Sequence, residues 1–235
     1  MIVINNISKK FGKLSVLKNI QLSFNQGECI ALVGPNGCGK TTMIKSILSM
    51  VIPDSGQILF DSLDIRNQFK YRKDIGYMPQ IGRYPENMNI GQVIETVKLL
   101  RGNSIQSDED LYVQFRIDEL KSKKMSTLSG GTRQKVSAVL AFMFNPKVLI
   151  LDEPTAGLDP LSAELLKEKI IKERNNGKLI LISSHLLAEL DDIVSEVVFM
   201  DEGQILFHKK TATIKEETGE QTISKAITHI LKKSF

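Results

Sequence analysis

The sequence contains no tryptophan, and aromatic residues fill only 6% of its 235 positions. A surface built to stack a run of nucleic-acid bases is therefore not expected. Cysteine occurs twice, at Cys29 and Cys38. That is too few for a disulfide framework and points to a reducing compartment. Long apolar runs are missing. The longest, Val136 to Phe144, has Ser137 inside it and falls short of the roughly 18 residues a membrane span needs. The opening, Met1 to Lys13, has no basic segment followed by an apolar stretch, so no signal peptide is expected. If the chain works at a membrane, another chain supplies the spans. A large excess of one charge is also absent. The net charge is +4, from 31 basic and 27 acidic residues, which suits an anionic ligand without demanding nucleic acid. No internal repeat and no Cys/His cluster of metal-ligand spacing is present.

What is present fits one large α/β domain. Hydrophobic residues make up 42% and charged residues 25%, which excludes a disordered or collagen-like chain. Short apolar runs bounded by turn residues recur at Cys29 to Val33, Val148 to Leu151, Leu179 to Ile182 and Val197 to Met200. Such runs suit strands of a parallel sheet buried on both faces. Helices are predicted between them, at Thr41 to Met50, Thr132 to Phe144 and Leu161 to Arg174, giving βαβ crossovers. The first 25 residues differ. Ile2, Ile4, Leu22 and Phe24 alternate as in antiparallel strands. Pro53 to Gly56 is a turn before a strand at Gln57 to Phe60. Residues 86–128 are polar with Ile90, Val93, Ile94, Val97 and Leu100 at helical spacing, which predicts an inserted helical subdomain. One terminal helix is expected after Thr211.

The segment Gly34, Pro35, Asn36, Gly37, Cys38, Gly39, Lys40, Thr41 fits G-x-x-x-x-G-K-[ST], between a buried strand and a helix. Glycines there let backbone N–H groups converge on one anion, and the helix N-terminus adds positive potential. Lys40 would reach the β- and γ-phosphates, and the Thr41 hydroxyl would ligate Mg²⁺. The bland alternative is a glycine-rich turn before a helix. Cys38 reads as a tolerated small residue or, beside Lys40 and a helix N-terminus, as a reactive thiol. The run Val148 to Glu153 is an apolar strand ending in two acids. Beside a phosphate loop, Asp152 would hold Mg²⁺ and Glu153 would act as general base on the attacking water. Ser129, Gly130 and Gly131 precede a helix and form a second N-terminus suited to an anion. A capped helix start explains Ser129 but not the paired glycines.

The loop, Leu128 to Gly131 and the Asp152–Glu153 pair, in this order, resemble the ATP-binding-cassette (ABC) ATPases over nearly the whole chain. The resemblance implies a single cassette domain over residues 1–235. Its fold would be α/β, a P-loop ATPase core with a parallel sheet, an N-terminal antiparallel β-subdomain and an inserted helical subdomain at about 81–146. It implies ATP and Mg²⁺ as ligands, with Thr42 completing the loop. Phe11 matches the aromatic that stacks on adenine, with Val16 beside the base, although a core aromatic at a strand end is the bland reading of Phe11. Gln80 matches the glutamine that contacts Mg²⁺. Asp159 matches the loop that crosses to the partner subunit, and His185 the switch histidine that senses the γ-phosphate. His208 and His229 match nothing. In this family two ATPs lie between two head-to-tail subunits, so Ser129, Gly130 and Gly131 would act in trans.

The resemblance further implies a second ATPase subunit, identical in the simplest case, and a separate multi-span permease. The chain would then be cytoplasmic, held to the inner face of the membrane by that permease. The segments Ile182 to His185 and Met200 to Gly203 look most like the ATPases of ABC-2-type exporters. Tyr84 to Asn87 and Leu128 to Lys135 are similar to copper-processing systems that mature nitrous-oxide reductase. The alternative is a soluble ABC ATPase acting on nucleic acid, ribosomes or cofactor assembly. The cluster Lys121 to Lys124 is short and lies beside Asp118 and Glu119, so no nucleic acid is expected. Intact Lys40, Asp152, Glu153 and His185 argue against a non-hydrolysing regulatory module.

Overall fold

The computed structural model describes residues 1–102, 107–184 and 190–234. The chain forms two compact units, Met1–Tyr71 with Leu179–Phe235, and Arg72–Lys178. In chain order the first unit starts with β1 (Ile2–Phe11), β2 (Leu14–Phe24), β3 (Cys29–Val33), α1 (Lys40–Ile47), β4 (Ser55–Phe60) and β5 (Leu63–Asp64). The second holds β6 (Ile75–Met78), α2 (Ile90–Arg101), α3 (Asp110–Gln114), α4 (Ile117–Leu120), α5 (Gly130–Phe142), β7 (Val148–Asp152) and α6 (Pro160–Asn175). The chain then returns to the first unit with β8 (Leu179–Ser183), β9 (Glu196–Asp201), β10 (Gln204–Lys210), α7 (Thr211–Thr218) and α8 (Ile223–Ser234).

In the first unit β3 pairs in parallel with both β8 and β9. Every residue of β3 and β8 is buried, as expected where helices cover both faces of a sheet. β10 pairs antiparallel with β9 and escapes the sequence pattern because it is only half buried. A separate antiparallel sheet runs β2-β1-β4-β5. Its register sets Ile2 opposite Phe24 and Ile4 opposite Leu22, so the alternating apolar residues share one buried face. The ladder slips at Asn6, whose φ of 52° is one that asparagine tolerates. There Gly56 passes so close that a Cβ would lie 2.4 Å from the Asn5 carbonyl oxygen.

In the second unit β6 and β7 pair in parallel, and α5 packs on β6. Helix α2 opens with Asn89, whose side chain accepts from Gln92 N while the Gln92 side chain accepts from Asn89 N. This reciprocal cap fixes the helix start. Ile90, Val93 and Ile94 are buried as the spacing predicts, but Leu100 is 81% exposed. Helix α1 stops before Met50, since Ser49 has a φ of 50°. The tail forms two helices rather than one, because Gly219 ends α7 in the left-handed conformation. Among the described residues no helix is long and apolar enough to cross a membrane.

Candidate functional site

The loop that follows β3 is shaped by glycine. At Gly34 (φ 149°) an added Cβ would lie 2.0 Å from the Met200 carbonyl oxygen, so no other residue fits. Gly39 (φ 110°) caps α1 and presses on the Val16 carbonyl oxygen, which an added Cβ would approach to 2.8 Å. Gly203 N donates to the Cys38 carbonyl at 3.1 Å, and Lys18 N donates to Gly203 O at 2.8 Å. The loop is thus tied to β2 through one glycine. Cys38 is 3% exposed, with Sγ 3.7 Å from Lys40 Nζ. Lys40 Nζ donates to Gly34 O at 2.7 Å and to Pro35 O at 3.1 Å, which places its ammonium at the loop itself.

Helix α1 has no side-chain cap and no acidic residue in its first turn. The first N–H groups of a helix lack intrahelical partners, so this start offers amides and positive potential to an anion. Thr41 is exposed there, Thr42 half-buried, and Pro35, Asn36 and Gly37 are exposed on the loop. A cavity of about 380 Å³ beside the loop is lined by Val33, Gly34, Pro35, Ser184, Phe199, Asp201 and Leu231. Phe11 ends β1 and is 51% exposed, with Lys9 Nζ 5.5 Å from its ring centroid. That exposure removes the core-aromatic reading. Val16 is half-buried in β2.

The second unit carries the other candidates. Asp152 ends β7 and is 5% exposed. Burial, and then the charge of Asp152, push the Tyr77 hydroxyl up to about 12. Glu153 follows with a φ of 51°. Gln80 Nε2 donates to Glu153 Oε2 at 3.1 Å. Ser129 caps α5, its Oγ accepting from Thr132 N at 3.2 Å. A Cβ on Gly131 would lie 2.5 Å from the Gly157 carbonyl oxygen, whereas one on Gly130 would meet nothing within 4 Å. Packing inside the chain explains Gly131 and does not explain Gly130.

Asp159 caps α6, accepting from Ser162 N at 2.9 Å and Ser162 Oγ at 2.8 Å, and pairs with Lys135 Nζ at 2.8 Å. The hydrogen bond from Lys135, followed by those from Ser162, holds its carboxyl far below the usual carboxylate range. Gln134, which the sequence reading passed over, is 4% exposed and reaches the Glu153 carbonyl. Its place near the start of a helix gave no sign of burial. His185 lies outside the described residues.

The ABC transporter family model matches residues 17–156. A putative ABC transporter ATP-binding protein of Mycoplasma pneumoniae is 32% identical, over 92% of this chain and 69% of the relative. The lantibiotic transport ATP-binding protein SrtF of Streptococcus pyogenes is 30% identical over 89% of this chain and 91% of its own. The lipopolysaccharide export ATP-binding protein LptB of Escherichia coli is 31% identical over 90% and 91%. Among solved structures, an ATP-binding subunit of an ABC transporter superposes with a TM-score of 0.89 at 25% identity, over 98% of this chain and 99% of its own. A dimeric cassette bound to ADP and Pi superposes at 0.81 and 23% identity, over 89% and 98%, and supports the fold alone. The chain belongs to the ABC transporter ATP-binding family, and its fold is the α/β fold of the ABC cassette. It is an ATPase and binds ATP.

Proposed function

We propose that this chain is the ATP-hydrolysing subunit of an exporter, pairing with a second copy on ATP binding and driving a separate multi-span permease. It would work in the cytoplasm, on the inner face of the membrane. The observation that carries the reading is the loop Gly34 to Lys40, an anion cradle that opens an uncapped, acid-free helix. Lys40 and the amides of the loop and of Thr41 and Thr42 bind the phosphates. Phe11 and Val16 take the adenine. Thr41, Gln80 and Asp152 carry the hard oxygen donors that Mg²⁺ accepts. When bound, Mg²⁺ neutralises phosphate charge.

Glu153 takes the proton of the attacking water, and its hydrogen bond from Gln80 orients it. Ser129, Gly130 and Gly131 grip the partner's γ-phosphate. Gly130, which no described residue of its own chain crowds, is the residue that supports this best. Asp159 serves the crossing between subunits, and His185 is assigned to the γ-phosphate on sequence resemblance alone. The exporter class is favoured by relatives named for lantibiotic transport and lipopolysaccharide export. A copper-processing system remains one member of that class.

The test is Glu153→Gln, which keeps shape and hydrogen bonding but cannot accept the proton. Hydrolysis should slow by roughly 10²–10⁴-fold while ATP still binds. Size-exclusion chromatography with Mg-ATP should show a dimer that disappears with ADP. Adding Ser129→Arg should abolish it, because a bulky cation cannot occupy the capped helix start. A dimer indifferent to nucleotide or to Ser129 would sink the reading.

A further inference from the structure

Glu153 has a φ of 51°, in the left-handed region where a residue with a Cβ is strained by about 1 kcal/mol or more. Such a conformation persists only where neighbours enforce it. Gln134 on α5 is the neighbour that reaches it from another element. Gln134 is 4% exposed, and a buried amide is costly unless hydrogen-bonded. Its Nε2 donates to the Glu153 carbonyl oxygen at 3.3 Å. The same helix grips the following residues at two more points. Gly131 lies against the Gly157 carbonyl, and Lys135 pairs with Asp159 at 2.8 Å.

We propose that Gln134 is a positioning residue for hydrolysis. By holding the Glu153 carbonyl it fixes the left-handed backbone, and the backbone fixes where the carboxylate points. The same carbonyl also accepts from Ala156 N at 3.2 Å, so what Gln134 adds is the tie to α5; without it Glu153 is free to relax toward ordinary φ values, turning its Cβ and carboxylate away from the attacking water. The inference rests on Glu153 being the general base. It adds that α5, whose first turn carries Ser129, Gly130 and Gly131, also sets the geometry of its own subunit's base.

Gln134→Met keeps the length and burial of the side chain and removes the donor. In the full chain kcat should fall about ten- to a hundredfold, as expected for a misplaced catalytic group. ATP affinity, read with a fluorescent ATP analogue, should stay within about twofold, since neither the loop nor Phe11 is touched. In a Glu153→Gln background the same change should have no further effect on rate, because there is no base left to misplace. A merely structural role would lower both backgrounds equally. Gln134→Leu, which also removes the donor and adds no charge, is read in the same way and replaces the methionine variant should that one fail to fold. An unchanged kcat, or an equal fold loss in both backgrounds, overturns the proposal while leaving Glu153 as the base. A Glu153→Gln protein that hydrolyses at the wild-type rate overturns the general-base reading first.

Discussion

Lys40 bonds two carbonyls of its own loop, at 2.7 and 3.1 Å, and under the proposed function its ammonium meets the phosphates there. Lys40→Ala should lower hydrolysis by at least about a hundredfold, the usual cost of one preorganised donor. Phosphate release measured against ATP binding checks this. The place of Lys40 in a glycine-shaped loop at the start of a helix was legible in the sequence, because the glycine spacing around it has few other uses. Phe11 was legible only as a choice between two readings, and its 51% exposure excludes the core one. The left-handed backbone at Glu153 was not legible, since nothing about glutamate in sequence marks a positive φ. Gln134 was hidden for a related reason: a polar residue in a helix is ordinarily a solvated one.

Helix α6 carries Lys169, whose side chain is 3% exposed, between Asp108 at 2.5 Å, Asp110 at 2.9 Å and Glu173 at 2.9 Å. No local pattern in the sequence marks this buried lysine, because its partners at Asp108 and Asp110 lie 61 and 59 residues away. Burial opposes the charge on Lys169, but the three carboxylates prevail and hold its ammonium well above the usual range. Hydrogen bonds from Lys172 and then Lys169 bring the Asp110 carboxyl from 3.8 down to about 2. A carboxyl whose folded value is depressed adds stability that is present above its unfolded value and lost as pH falls through the folded one. The tie between α3 and α6 should therefore weaken between about pH 4 and pH 2. Thermal melting across that window should fall less steeply for Asp110→Asn than for the unaltered chain. Equal slopes would mean that the pair contributes nothing measurable. Elements that rest on continuous apolar runs, β3, β7, β8 and β9, were legible in the sequence. The split of the tail at Gly219 was not, because the charged residues on either side of it suit helix equally well.

The whole molecule supplies ATPase chemistry and, among its described residues, no helix able to cross a membrane. Pull-down from solubilised membranes should recover a multi-span protein. Ile81 is 65% exposed in the segment between Gln80 and Gly91. Ile81→Glu should weaken that capture several-fold while ATP binding survives, because a charge replaces exposed apolar surface. Recovery of nucleic acid or a soluble complex alone would favour the second class of ABC ATPase. The parallel pairing of β3 also has a consequence for how the chain is made. Cys29 pairs with Ile180 and Ile30 with Glu196, and all of the second unit is synthesised in between. At roughly 5–20 residues per second, the five apolar residues of β3 wait about 8 to 30 s for their partner strands to emerge from the ribosome. During that interval the nascent chain exposes an unpaired hydrophobic edge, a site for unwanted strand pairing until β8 and β9 have been made.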